Sequence, residues 1–126
     1  MAEPKHPRVG IVVPTIGQRP QYLPLALESI RRAVEDPKDV YIILIGHKQF
    51  DPKPYKHLID EYQVETHPNL AKKITDGLNS LPKDIQYFNW LGDDDLLTPG
   101  SLTKALNRIT QPDHPVLIFS SCDYID

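Results

Sequence analysis

Cysteine is almost missing from this chain: Cys122 stands alone among 126 residues. No internal disulfide can form, and a reducing compartment, the cytoplasm, is the expected setting. Its neighbours Phe119, Ser120 and Ser121 read as the end of a buried strand, where a cysteine fills space and does not act as a nucleophile. Positive charge is not in surplus either, with 14 Lys and Arg against 17 Asp and Glu for a net charge of −3. Proteins that grip a phosphate backbone carry a basic excess on one face, so nucleic acid is not an expected partner. No apolar run follows the polar residues 1–8 that is long enough for a secretion signal or a membrane span. Internal repeats, linkers and low-complexity tracts are also lacking. The length suits one domain, read as a tail over 1–8 and a single unit over 9–126.

Alternating strand and helix patterns fill that unit. Val9-Gly10-Ile11-Val12-Val13 is a continuous β-branched and apolar run stopped by Pro14, as expected of a strand buried on both faces of a parallel sheet. Over 20–34, Leu23, Leu27, Ile30 and Val34 form one helical stripe, with Pro20 and Pro24 near its start. Residues 40–45 repeat the buried-strand pattern and end at Gly46. A short helix is expected over 55–62 and a short strand over 64–66. Asn69 is a good cap for a helix carrying Leu70, Ile74 and Leu78. The aromatic run 85–91 reads as a strand, Thr98-Pro99 as the start of a helix bearing Leu102, Ala105, Leu106 and Ile109, and 116–119 as a last strand.

This order predicts an α/β fold: a Rossmann-like, mostly parallel sheet with helices on both faces. In such sheets ligands bind outside the carboxyl ends of the strands, where Pro14-Thr15, Gly46-His47 and Gly92-Asp93-Asp94-Asp95 should converge. Three adjacent carboxylates at a sheet end repel one another and need a counter-charge that the local sequence does not supply. A divalent cation answers that need, since Mg²⁺ and Mn²⁺ prefer oxygen donors and commonly take only one or two carboxylates, leaving their other positions to water and phosphate. A metal so held would also stabilise a departing diphosphate. The plainer alternative is a solvated acidic turn whose charges favour the start of the next helix.

Three stretches carry a family resemblance. Val12-Val13-Pro14-Thr15, then Arg19-Pro20, Tyr22-Leu23 and Leu27-Glu28-Ser29-Ile30, looks like the opening strand, loop and helix of family-two glycosyltransferases. Trp90-Leu91-Gly92-Asp93-Asp94-Asp95-Leu96-Leu97-Thr98-Pro99 resembles that family's acidic (DXD) metal motif and the helix start after it. Residues 69–78 are similar to the helix lining the family's donor pocket. The resemblance implies a GT-A fold, a nucleotide-diphospho-sugar donor and Mg²⁺ or Mn²⁺ against its diphosphate. It places Pro14 and Thr15 beside the nucleoside. Aligned by position it makes Asp93 and Asp95 the motif's outer carboxylates, and aligned one residue earlier it makes Asp94 the main ligand. Asp95 and Asp94 are therefore the expected metal ligands, with Asp93 next. The acceptor it implies is of unknown kind (saccharide, lipid or protein). Arg19 and His47 are further candidates for the donor site. At the family's arginine-asparagine position this chain has Ile74-Thr75-Asp76, so either Lys72 or Lys73 supplies phosphate charge or both are plain surface lysines.

The chain departs from the family in two further places. After the second strand the family has an acidic contact to base or ribose, and this chain has Gly46-His47-Lys48. His47 is then either a base contact or a plain surface residue. The general base expected after the fifth strand has no clear counterpart, since Asp123 and Asp126 are the only late carboxylates. The sequence therefore reads as the N-terminal, nucleotide-sugar-binding portion of a truncated transferase. A non-catalytic nucleotide-binding or assembly module of the same fold is the alternative, and self-association stays open. A sugar-nucleotide pyrophosphorylase would want a glycine-rich loop after the first strand, and a receiver-like domain two acids there. Pro14-Thr15-Ile16-Gly17-Gln18 supplies neither.

Overall fold

Val9–Pro14 forms strand β1 and is buried along its whole length, as its unbroken apolar run requires. The computed structural model describes residues 9–113. Strand β2, Val40–Gly46, runs parallel to β1 with Val9 opposite Val40 and Pro14 opposite Ile45. On the far side of β2 lies β3, Glu61–Val64, and on the far side of β1 lies β4, Tyr87–Trp90, both parallel to their neighbours. The resulting sheet has the order β3-β2-β1-β4. The four strands therefore point the same way, and their carboxyl ends form one rim.

Alternate side chains of the central strands feed two separate cores. Ile11, Val13, Ile42 and Leu44 face helix α1, Leu23–Arg32, and pack with Leu23, Leu27 and Ile30, joined by Leu106 of helix α3, Ser101–Ile109. Val12, Ile43 and Ile45 face the other way, against Leu78 of helix α2, Leu70–Ser80, and Leu81 beyond it. Each such fully buried Leu, Ile or Val is worth about 1.5–3 kcal/mol, so these two layers fix the sheet. The close approach of α2 depends on Gly77, where a Cβ would come within 2.7 Å of Val12 Cγ1 and 2.9 Å of Ile45 Cδ1. The expected α/β sheet with helices on both faces is thus the observed fold.

Three local expectations are corrected. Instead of a helix over 55–62, a 3₁₀ turn spans Lys53–Leu58 and β3 already begins at Glu61. Extending the chain lets Glu61 to Val64 pair with β2, which outweighs continuing a helix through these residues. The strand expected over 64–66 therefore starts earlier and ends at Val64. The last helix begins at Ser101, not at Thr98-Pro99. Ser101 N–H bonds the Thr98 carbonyl at 3.1 Å to close a turn, and Gly100 enters the helix at φ 75°, a conformation glycine adopts freely. Asn69 does cap α2, its side chain accepting from Lys72 N–H at 3.1 Å. The strand expected over 116–119, Cys122, Asp123 and Asp126 lie outside the described residues.

Candidate functional site

The strand ends converge first through the backbone. Thr15 N–H continues the β1–β2 ladder by donating to the Ile45 carbonyl at 2.8 Å, and Glu65 N–H does the same from β3 to the Gly46 carbonyl at 2.8 Å. Leu91 N–H reaches the Val12 carbonyl at 3.0 Å, carrying β4 to the same rim. Residues just beyond these bonds must therefore lie side by side.

After β4 the chain folds into a tight turn in which Asp95 N–H donates to the Gly92 carbonyl at 3.1 Å. The Asp95 carboxylate folds back over this glycine, where a Cβ would sit 2.7 Å from Oδ2. Glycine at position 92 is what lets the acidic turn close. Asp93 points inward: it is 8% exposed, and its Oδ2 accepts a 2.8 Å hydrogen bond from the hydroxyl of Thr15, itself 3% exposed. The same Thr15 oxygen accepts from Gly17 N–H at 3.1 Å, which shapes the loop between β1 and α1. Asp94 points outward and is paired with the Arg19 guanidinium, whose Nη1 also lies 3.9 Å from Asp93 Oδ1. The Arg19 carbonyl accepts from Tyr22 and Leu23 N–H at 3.0 and 3.1 Å, so the entry to α1 positions this arginine. Behind the turn, buried Ser29 on α1 accepts from Leu97 N–H at 3.0 Å and donates to the Ala26 carbonyl at 2.7 Å.

Arg19 is thus the counter-charge that the sequence around the acidic run does not contain. The two contacts differ in strength. A buried hydrogen bond to a carboxylate contributes about 1.5–3 kcal/mol, whereas an exposed ion pair contributes about 0.2–1 kcal/mol. Thr15 holds Asp93 firmly, and Arg19, about half exposed, holds Asp94 lightly. The helix-dipole explanation of the acidic run does not apply, since α3 starts only at Ser101.

Carboxylates and phosphates suit Mg²⁺ or Mn²⁺ as oxygen donors. Among the described residues no three histidine, cysteine, aspartate or glutamate side chains are grouped so that they could hold a metal ion. Asp94 and Asp95 are the exposed carboxylates of the turn, and Asp93 is the buried one.

An open cleft of about 480 Å³ lies at the carboxyl ends of β2 and β3, lined by residues 47–49 and 65–68. His47 is in its wall. Phe50, stacked on Tyr55 and Tyr62 at centroid distances of 5.7 and 5.9 Å, anchors the loop that carries it. A Cβ at Gly17 would lie 3.6 Å from His47 Nε2, so the cleft adjoins the Thr15 loop. Tyr62 donates to the His47 carbonyl at 3.4 Å, and burial, with the negative Glu65 adding to it, raises the Tyr62 phenol above its ordinary range.

Of the residues expected at the site, Thr15, Arg19, Asp93 and Asp94 are joined directly, Pro14 precedes them on β1, Asp95 completes the turn, and His47 lies next door. Lys72 is turned to Asp76, 2.9 Å away on the same helix. Lys73 is 5% exposed and ion-paired to Glu65 at 2.7 Å, so it is not a surface lysine. Glu65 in the cleft has no signal in the sequence, because only the β3 register brings it there.

Solved structures share this fold. The crystal structure of S. aureus TarS, a glycosyltransferase, superposes with a TM-score of 0.65 at 16% identity over 81% of this chain and 19% of that one. The fold is glycosyltransferase-like. TarS 1–349 matches with a TM-score of 0.68 at 14% identity, covering 81% of this chain and 32% of that one. TarS 1–349 in complex with UDP-GlcNAc matches at 0.63 and 16% identity over 81% and 31%. The chain spans a third or less of the TarS chains it matches. No family model matches the chain, and no curated protein matches it in sequence. Among the described residues no helix is long and apolar enough to cross a membrane.

Proposed function

We propose that this chain is the donor-binding portion of a glycosyltransferase, holding a nucleotide-diphospho-sugar through Mg²⁺ or Mn²⁺ for transfer of the sugar to an acceptor hydroxyl. The observation that carries this reading is the meeting of Thr15, Arg19, Asp93 and Asp94 at the carboxyl ends of β1 and β4. It is supported by the likeness of the sheet to that of TarS, whose 1–349 fragment has been crystallised with UDP and with UDP-GlcNAc.

In this reading Asp95 and Asp94 hold the cation and Asp93, fixed by Thr15, orients the turn. The cation would neutralise the diphosphate and its developing charge as the sugar leaves. Arg19 supplies a second positive charge at the same corner. The nucleoside lies along the rim past Thr15 toward His47 and the cleft. No described residue is assigned as the base that deprotonates the acceptor.

Titration calorimetry with UDP, GDP, CDP and ADP, with and without Mn²⁺, tests this reading on the wild type and on Asp95→Ala. Binding that requires both the metal and Asp95 supports a donor site. Metal-independent binding, retained in Asp95→Ala, favours the non-catalytic nucleotide-binding module, a reading to which the pairing of Arg19 with Asp94 lends weight.

A further inference from the structure

Glu65 and Lys73 form a charged pair that the acidic corner does not use. Lys73 projects from the first turns of α2 and is 5% exposed, while the Glu65 side chain is 17% exposed. Their Nζ and Oε2 lie 2.7 Å apart, an ionic contact without hydrogen-bond alignment at the buried oxygen. Burying a cation and a carboxylate is costly, and a buried pair is weak evidence of stabilisation on its own. A role at the adjoining cleft explains the cost. Glu65 is part of the cleft's lining, and its backbone is locked to Gly46 at the end of β2. Thr15 is similarly locked to Ile45, and Val64 stands opposite Gly46, so Glu65 follows one residue beyond the row that Thr15 and Gly46 begin along the rim. With strands about 4.8 Å apart, Glu65 lies roughly two strand spacings, about 10 Å, from Thr15.

Building on the donor-site reading, we propose that Glu65, oriented by Lys73, selects the donor's base, favouring one that presents a ring N–H, such as uracil or guanine, over cytosine or adenine. An ionised carboxylate only accepts hydrogen bonds. With Oε2 committed to Lys73, Oε1 is the oxygen left to meet a ligand in the cleft. Uracil and guanine offer a ring N–H to it. Cytosine and adenine present a bare ring nitrogen at that place, whose lone pair repels the carboxylate, and offer it only the neighbouring exocyclic amine. Lys73 acts as a positioning residue: it holds the charge and direction of Glu65 without reaching the ligand.

The test is competitive titration of UDP, GDP, CDP and ADP at saturating Mn²⁺ against the wild type, Glu65→Gln, Lys73→Gln and Lys73→Arg. The wild type should prefer UDP or GDP over CDP and ADP by about tenfold or more, the scale of one charged hydrogen bond kept or lost. Glu65→Gln, nearly the same shape but able to donate, should collapse that preference and raise the affinity for CDP. Lys73→Gln should weaken discrimination, and Lys73→Arg should restore it, which a purely structural lysine would not do for the ratio between bases. If all four nucleotides bind the wild type alike, or Glu65→Gln keeps the wild-type ratio, the role of Glu65 is overturned while the donor site stands. If no nucleotide binds the wild type, the donor-site reading fails and this one falls with it.

Discussion

The hydroxyl of Thr15 donates a 2.8 Å hydrogen bond to Oδ2 of Asp93, a residue 78 positions later in the chain. That bond ties the end of β1 to the acidic turn after β4 and sets the direction in which one carboxylate points. Thr15→Val keeps the shape and removes the bond, leaving a buried carboxylate oxygen and Gly17 N–H without this partner. The expected cost is about 1–3 kcal/mol of stability, read as a lower midpoint in urea. An unchanged midpoint would show that the bond does not hold the turn.

Ser29 braces the turn from behind. Ser29→Ala leaves Leu97 N–H without its acceptor at 3.0 Å and should cost about 1 kcal/mol, with faster amide exchange at Leu97 as its local signature.

Gly77 is required by packing, not by backbone conformation. Gly77→Ala places a Cβ 2.7 Å from Val12 Cγ1 and should destabilise the protein by about 1–3 kcal/mol despite alanine's better helix propensity. Thermal melting checks the sign: a gain in midpoint would mean that α2 can lift off the sheet without cost.

Tyr62 reports on the cleft. Burial, and to a lesser extent the negative Glu65, raise its titration above the ordinary value. The native state therefore holds this proton more tightly than the unfolded chain does. The stability so gained is present below the unfolded phenol's pKa and is lost as pH rises through the raised one. Glu65→Gln removes the charge and should move the Tyr62 titration downward, toward but not reaching the ordinary value, since burial persists. NMR of ring-labelled tyrosine follows it directly, and an unmoved titration would show that Glu65 carries no charge beside Tyr62.

Much of this was legible in the sequence because the signals were local. The runs at Val9 and Val40 are apolar throughout and had to be strands buried on both faces, and Asn69 before a four-residue apolar spacing had to start a helix. What failed was decided by distant contacts. Glu61 to Val64 carries no strong strand pattern and becomes one by pairing with β2. Thr98-Pro99 has the chemistry of a helix start, yet Gly100 takes that place because its left-handed backbone completes the turn. The acidic run was visible, but its counter-charge was not, because Arg19 lies 75 residues away and meets Asp94 only when β1 and β4 are neighbours. Lys73 looked like any helix lysine until the β3 register set Glu65 against it.

The most direct test of the central claim is amide NMR of the chain titrated with UDP in the presence of Mg²⁺. The account predicts shifts concentrated at Thr15, Gly17, Gly92 to Asp95, His47 and Glu65, lost when Mg²⁺ is withheld or Asp95 is replaced by alanine. Shifts that ignore the metal, or that fall away from the carboxyl ends of the strands, would contradict it.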